Sequence, residues 1–442
     1  MMKKFFRKDG LLDNYFEITK NGSNTKTEIL AGVTTFMTMA YILIVNPAIL
    51  SEAGMNSGAV FTSTAVSAVI ATLIMGFYAK LPFAQAPGMG LNAFFAYTIV
   101  LQMGYSYEFA LTAVFIEGII FILLTLFNVR EAIVNSIPDC IKKGISVGIG
   151  LFIALLGLEG AGIVVHPKDG GTILALGNVV KGPGLLAIIG LLITGILLAR
   201  RIKGALFIGM ILTAIIGIPF GITKVPTAIV SAPPSITHSL FNFQWHDVLS
   251  MNMVVVLFTL LFMDLFDTIG TLVGVATKAK MIDENGRVPN IKKALLSDAI
   301  GTTIGACLGT STVSTFVESA SGVAEGGRTG LTAVTTGIMF IISLFFFPIF
   351  GVITSAVTAS TLILVGLFMI EPIREINLED FTESIPAFLT IIMMPFSYSI
   401  SDGIIFGVIS YIVLKVGTGK AKQVTLTTVI IGVIFILKFF IK

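Results

Sequence analysis

The sequence predicts an all-α polytopic membrane protein, and three observations carry that prediction. Its 442 residues are 55% hydrophobic but only 12% charged, where an average soluble domain is about 25% charged. Mean hydropathy is +0.97. Apolar runs of span length recur along the whole chain, and at about 20 residues per crossing they leave room for roughly fourteen spans. The 45 glycines suit tight helix packing and interrupted helices rather than disorder. The net charge of +3 comes from loop residues, as the positive-inside rule expects, and is no signal for nucleic acid. Cys140 and Cys307 lie far apart, without metal or redox spacing. Residues 1–27 lack the apolar core and cleavage site of a signal peptide. They suit a basic cytoplasmic segment able to lie on the membrane surface as a short helix.

The first spans are expected at residues 28–45, closed by Asn46-Pro47, and at 58–79, ending at Lys80. Thr34, Thr35 and Thr38 cluster in the first; such hydroxyls bond their own backbone or serve packing or a site. The third segment is irregular. Pro82, Pro87, Gly88 and Gly90 interrupt it, and a continuous helix cannot run through them. Non-helical backbone at membrane depth survives only where protein buries it or where it lines a cavity. An extended piece is therefore expected near 83–86 and a half-helix from Gly88, whose free N–H groups point into the protein middle. Asn92 sits one turn inside. Spans at 107–127, 137–158, 184–199 and 205–220 follow. Their loops hold Arg130, the Gly-rich stretch around His166, and Arg200-Arg201-Ile202-Lys203.

The second half opens on the sharpest signal. Residues 260–275, LLFMDLFDTIGTLVGV, hold Asp264 and Asp267 in an otherwise apolar run. A charged side chain at bilayer depth costs roughly 2.5–3.5 kcal/mol on insertion scales, so two of them need a reason. At i, i+3 they share nearly one helix face. Gly270 and Gly274 follow at small-xxx-small spacing, which predicts close approach of another backbone. Asp298 stands in the next span, with Gly301, Gly305 and Gly309 as a packing stripe. TSTVSTFVESASGVAEGGRTG then reads as a second broken segment, extended to about Phe316 with a half-helix from near Glu318. Spans at 331–347 and 352–370 follow. Residues 386–415 are too long for one ordinary span, and PFSYSISDG interrupts them; a last apolar segment covers 425–441.

Paired broken segments, each third in its half, point to an inverted-repeat transporter with its site at the midplane. The repeats would be residues 28–240 and 250–442. With the N-terminus inside, the inner loops hold Lys80, Arg130, Arg200, Arg201, Lys203, Lys278, Lys280, Arg287, Lys292 and Lys293. Lys415, Lys420 and Lys422 leave the C-terminal span count open, with room for one extra span.

The intramembrane acids are Asp264, Asp267, Asp298 and Glu318. No Lys or Arg occurs in residues 252–277 or 294–327. That argues against an anionic substrate and leaves a cation, a proton, or a neutral molecule with hydrogen-bond donors. Carboxyls crowded in a low dielectric hold protons near neutral pH, which a proton-coupled carrier requires. A cation/proton exchanger or channel would want the same acids, and Asp298 can equally serve to bond a neighbouring helix. An enzyme finds no support: His166, His238 and His246 all fall in expected loops, with no metal cluster or nucleophile–base pair.

KTEILAGVTTFMTMAYILIVNP, APGMGLNAFFAYT, LFDTIGTLVGVA and GTSTVSTFVESASGVAEGGRTGL resemble the AzgA-like purine permeases of the nucleobase/ascorbate transporter superfamily. The bacterial hypoxanthine/guanine permeases are most similar, with adenine permeases close behind. The resemblance implies about seven plus seven segments in inverted repeat, with the third and tenth broken. It implies a core (28–127 and 252–347) and a gate (137–224 and 352–442). It also implies proton-coupled purine import across the cell membrane by alternating access, with no cofactor beyond the proton motive force. A homodimer would fit. Asp267 matches the family's substrate-binding acid of the eighth span, Glu318 the acid of the tenth, and Gly90 and Asn92 the third-span motif. Asp298 matches a scaffold or coupling acid, and Asp264 a second acid that tunes Asp267 or packs the helix. Thr271 of FDTIGT is grouped with them. A purine offers donors to Asp267 and Glu318 and acceptors to half-helix N–H groups. Phe94, Phe262 and Phe316 are candidates to stack on its ring, though each suits core or lipid packing equally.

Overall fold

The computed structural model describes residues 10–127, 138–167, 173–278, 281, 288–426, 428–429 and 432–433. Among the described residues, nine helices are long and apolar enough to cross a membrane. A short surface helix, α1 (Leu11–Phe16), comes first. Asn24 caps α2 (Thr25–Met39), its side chain accepting from the Thr27 N–H; such a cap satisfies a donor the helix leaves unpaired. The chain then kinks at Ala40–Tyr41 and continues as α3 (Ile42–Glu52). This corrects the expected closure at Asn46-Pro47: Pro47 lies inside α3. A proline forfeits one intrahelical bond, and the buried packing of α3 tolerates that loss.

Helix α4 (Ser57–Ile74) widens into a π-helical turn, Met75–Ala79, and stops at Lys80 in the left-handed region. A strand, β1 (Gln85–Pro87), leads into α5 (Met89–Ala93), continued by π-helix to Gln102. Helices α6 (Tyr107–Leu126) and α7 (Asp139–Gly160) follow. A small hairpin pairs β2 (Val164–Val165) with β3 (Ala175–Leu176) before α8 (Gly182–Ala199) and α9 (Ala205–Gly217).

The second half begins with α10 (Met251–Lys278) and α11 (Ile291–Leu308). Gly309, at φ 91°, ends α11 in a conformation that favours glycine. Then come β4 (Val313–Thr315), α12 (Ser319–Ala324), α13 (Gly330–Ser343), α14 (Phe347–Phe350) and α15 (Ser355–Met369). Residues 386–415 belong to two helices, α16 (Phe381–Ser397) and α17 (Ile400–Gly417), divided at Tyr398 with φ 57°. Lys415 and Lys420 pair with Asp380, and Lys143 with Glu375. The C-terminal charges therefore sit at the end of the bundle where α7 begins. Arg130, Lys280, Arg287 and most of the apolar segment 425–441 lie outside the described residues.

Two groups of helices emerge from the contacts. In one, α2, α4, α6, α10, α11 and α13 pack together; in the other, α7 packs on α15 and α16, with α8, α9 and α17 around them. Small residues permit both. A Cβ at Gly150 of α7 would stand 2.7 Å from the Gly366 carbonyl oxygen of α15, and one at Gly301 would stand 2.6 Å from the Ala71 Cβ. Such sites let backbones touch. The same expectation fails at Gly270 and Gly274. Both are exposed, and a Cβ at either would meet nothing within 4 Å. Their spacing suits close approach, but among the described residues no helix is packed on that face of α10.

Candidate functional site

The site is built where the two strand-and-helix segments cross. Strand β1 pairs antiparallel with β4 in the register Gln85↔Thr315, Ala86↔Ser314, Pro87↔Val313. The ladder continues outward, with the Gly88 N–H donating to the Thr312 carbonyl at 3.0 Å and the Phe316 N–H to the Ala84 carbonyl at 3.0 Å. Both strands are buried. Each strand satisfies one backbone edge of the other, while the Thr72 hydroxyl of α4 bonds the Gln85 N–H and carbonyl and the Thr302 hydroxyl of α11 bonds those of Val313, so that neither strand is left unpaired in an apolar interior.

The side chains of residues 310–315 then fan out to other elements. Thr310 accepts from the Asn46 amide at 2.9 Å. Ser311 donates to the Asn92 side-chain oxygen. Thr312 donates to Glu117 at 2.6 Å and Ser314 to Asp267 at 2.7 Å. Thr315 accepts from the Gln85 amide at 3.1 Å.

Glu318 is the N-cap residue of α12. Its Oε1 accepts from the Tyr41 hydroxyl at 2.6 Å, and its backbone carbonyl from Thr38 at 3.4 Å. Tyr41 stands at the kink between α2 and α3, so that interruption aims the phenol at Glu318. Asp267, on α10, is half-buried and acts electrostatically on both Glu318 and Tyr41. The crossing thus gathers two carboxyl groups, a phenol and a serine hydroxyl around the ends of two short helices. Such a set can accept from and donate to a neutral polar molecule.

Asp264 and Asp298 form a separate layer. Both are fully buried. The Thr268 hydroxyl stands 3.1 Å from Asp264 and 2.9 Å from Asp298. The Gln85 side-chain N–H reaches Asp298 at 3.4 Å, and Ser297 donates to Gln85 Oε1 at 2.7 Å. Asp298 is thereby tied to the foot of β1, and Thr268 links it to Asp264.

Asn92 is fully buried beside the crossing, its amide 3.5 Å from the Pro87 carbonyl. Gly90 marks the contact of α5 with α7, for a Cβ there would stand 2.9 Å from Ile149 Cγ2. Phe94 is buried in the main apolar core. Phe316 lies between strand and helix, its ring centroid 6.5 Å from that of Tyr41. Phe262 packs on Phe258, centroids 4.4 Å apart, one turn down α10. Thr271 is half-buried one turn beyond Asp267 on the same helix.

Sequence reasoning passed over two buried acids. Glu28, at the start of α2, accepts from the Arg328 N–H at 2.9 Å, the Thr329 N–H at 3.2 Å and the Thr332 hydroxyl at 2.6 Å, and so caps α13. Glu117 stands alone in the apolar run FALTAVFIEGIIFILL. It carries the same kind of signal as Asp264, an acid set in an apolar run of sequence. Tyr41 and Ser314 gave no local signal, because their acids lie far along the chain.

Comparison with known proteins decides the family. Residues 26–406 match the model of the Permease family. The chain belongs to this permease family. It is 45% identical over 439 residues to the guanine/hypoxanthine permease PbuG of Bacillus subtilis, covering 97% of this chain and 99% of that one. It is 41% identical over 429 residues to the adenine permease AdeP of Escherichia coli, covering 97% and 96%. Among solved structures, the transmembrane domain of the cyanobacterial bicarbonate transporter BicA superposes with a TM-score of 0.64 at 16% identity, covering 86% of this chain and 97% of that one. At that identity only the fold is shared. The permease is a multi-pass membrane transporter, not an enzyme.

Proposed function

We propose that this permease imports purine nucleobases, hypoxanthine or guanine in first place and adenine in second, driven by the proton gradient. The observation that carries the reading is the pairing of Asp267 with Ser314 and Glu318 with Tyr41 at one crossing. A neutral purine presents ring N–H groups that the two carboxyls can accept, and carbonyl or ring nitrogens that the phenol and backbone N–H groups can satisfy. Two uncharged heterocycle edges thus find four complementary groups in a site without a basic side chain on β4, α12 or the middle of α10. The guanine/hypoxanthine and adenine permeases named above support the substrate class.

The crossing strands correspond to broken third and tenth segments in an inverted repeat of about seven plus seven. The α2–α4–α6–α10–α11–α13 group is the core that holds the substrate, and the α7–α8–α9–α15–α16–α17 group is the gate. Alternating access is their relative movement, with the N-terminus and the Lys143–Lys415 end facing the cytoplasm. Uptake of labelled hypoxanthine, guanine, adenine and uracil in permease-deficient cells, with and without a protonophore, tests it. Purine uptake that the protonophore stops is expected; no purine uptake at all would end the reading.

A further inference from the structure

We infer that Glu117 is a proton-coupling residue, loading the driving proton from behind the strand that holds Asp267. The inference rests on the reading of the chain as a proton-coupled purine carrier.

Glu117 is fully buried near the middle of α6. Its Oε2 accepts from the Thr312 hydroxyl at 2.6 Å. Thr312 and Ser314 are two residues apart on the stretch that pairs with β1, so their side chains leave the same face. That spacing is roughly 7 Å along a strand. The two hydroxyls therefore hold Glu117 and Asp267 along one edge, on helices α6 and α10 that themselves pack together.

The charges around Glu117 decide what state it can adopt. The elements packed on α6 are α10, α11 and the π-helix 94–102. They bring Asp264, Asp267 and Asp298 to the interior, and the phenol of Tyr97. The amine of Lys292, on α11, donates to the Leu126 carbonyl at the far end of α6; nine residues from Glu117, that end is roughly 13 Å away along the helix. At the opposite end, Glu108 lies beside Asn242. The neighbourhood is acidic, and an ionised carboxylate there is costly. A proton from the medium of higher proton activity binds the carboxylate, and the same proton leaves on the other side. Only an O–H bond forms and breaks. Thr312 is the link through which the state of Glu117 is felt at the strand that holds Asp267.

A purely structural tether is the competing role, and glutamine separates the two. The Glu117→Gln side chain still accepts from Thr312 but cannot carry a proton. In proteoliposomes of the full-length permease, Glu117→Gln is expected to keep purine exchange under equal pH while losing accumulation against a gradient. Accumulation and a pH profile like the parent's would overturn the proposal, as would loss of exchange and accumulation together. Glu117→Asp should restore part of the accumulation. Should Glu117→Gln yield no folded protein, Thr312→Val decides: a displaced pH profile of uptake is expected, and an unchanged one overturns the proposal. The parent is measured first. A parent without purine uptake, or with uptake indifferent to the protonophore, fails the functional reading itself, before any variant is read.

Discussion

The two strand-and-helix segments occupy equivalent places and do different work. The first, residues 85–102, contributes a proline, two glycines and the buried amides of Gln85 and Asn92. Its helix is extended by π-helix to Gln102. The second, residues 313–324, contributes hydroxyls and Glu318, and its helix is only six residues long. Both strands are equally buried, so depth does not distinguish them. The difference lies in which side chains leave the ladder. The first segment supplies close approach and the second supplies chemistry.

The contrast can be broken most forcefully on the second segment. Glu318→Gln and Asp267→Asn are expected to abolish purine uptake with the protein still in the membrane; if both leave transport and affinity intact, the site lies elsewhere. Almost as large an effect is expected from the first segment at one position. A Cβ at Gly88 would stand 2.6 Å from the Ser314 hydroxyl and 3.4 Å from an Asp267 oxygen. Gly88→Ala should therefore push Ser314 off Asp267 and stop uptake, and a fully active variant would show that the first segment does not shape the site.

Smaller effects grade the hydrogen bonds. Ser314→Ala and Tyr41→Phe each remove one donor to a carboxyl, a loss of about 1–3 kcal/mol. Each should raise the KM for purine on the order of tenfold while leaving expression intact. An unchanged KM in either would remove that residue from the substrate site. The smallest effect is expected at Gly270. With open space around it, Gly270→Ala should leave uptake at the parent's level and raise the helix propensity of α10 by roughly 1 kcal/mol. Lost uptake would mean that a partner packs on this face in the membrane.

Much of this was legible in the sequence, and what escaped did so for a physical reason. Prolines and glycines between apolar runs leave few backbone options, so a strand before Gly88 and another before Glu318 could be read directly. Asp267 and Glu318 stood out because ionisable groups are rare at depth. Glu117 carries the same signal in its apolar run. Tyr41 is different. Its role depends on a helix break at Ala40–Tyr41, upstream of the Asn46-Pro47 pair that marks a break in the sequence, and on an acid 277 residues away. The Gly270 spacing misled because periodicity says which face is smooth, not whether anything lies on it.

The pairing of Gln85 with Thr315 also constrains the order of biogenesis. When the ribosome has delivered the first strand, its partner is still 230 residues from being made. Until then Thr72 of α4 can bond the Gln85 N–H and carbonyl, but the Ala84 carbonyl and the Gly88 N–H lack the partners they meet on the second segment, and an apolar bilayer offers none. The β1–β4 ladder can therefore close only after the second segment has been made. Release of the N-terminal half alone would leave that ribbon permanently open.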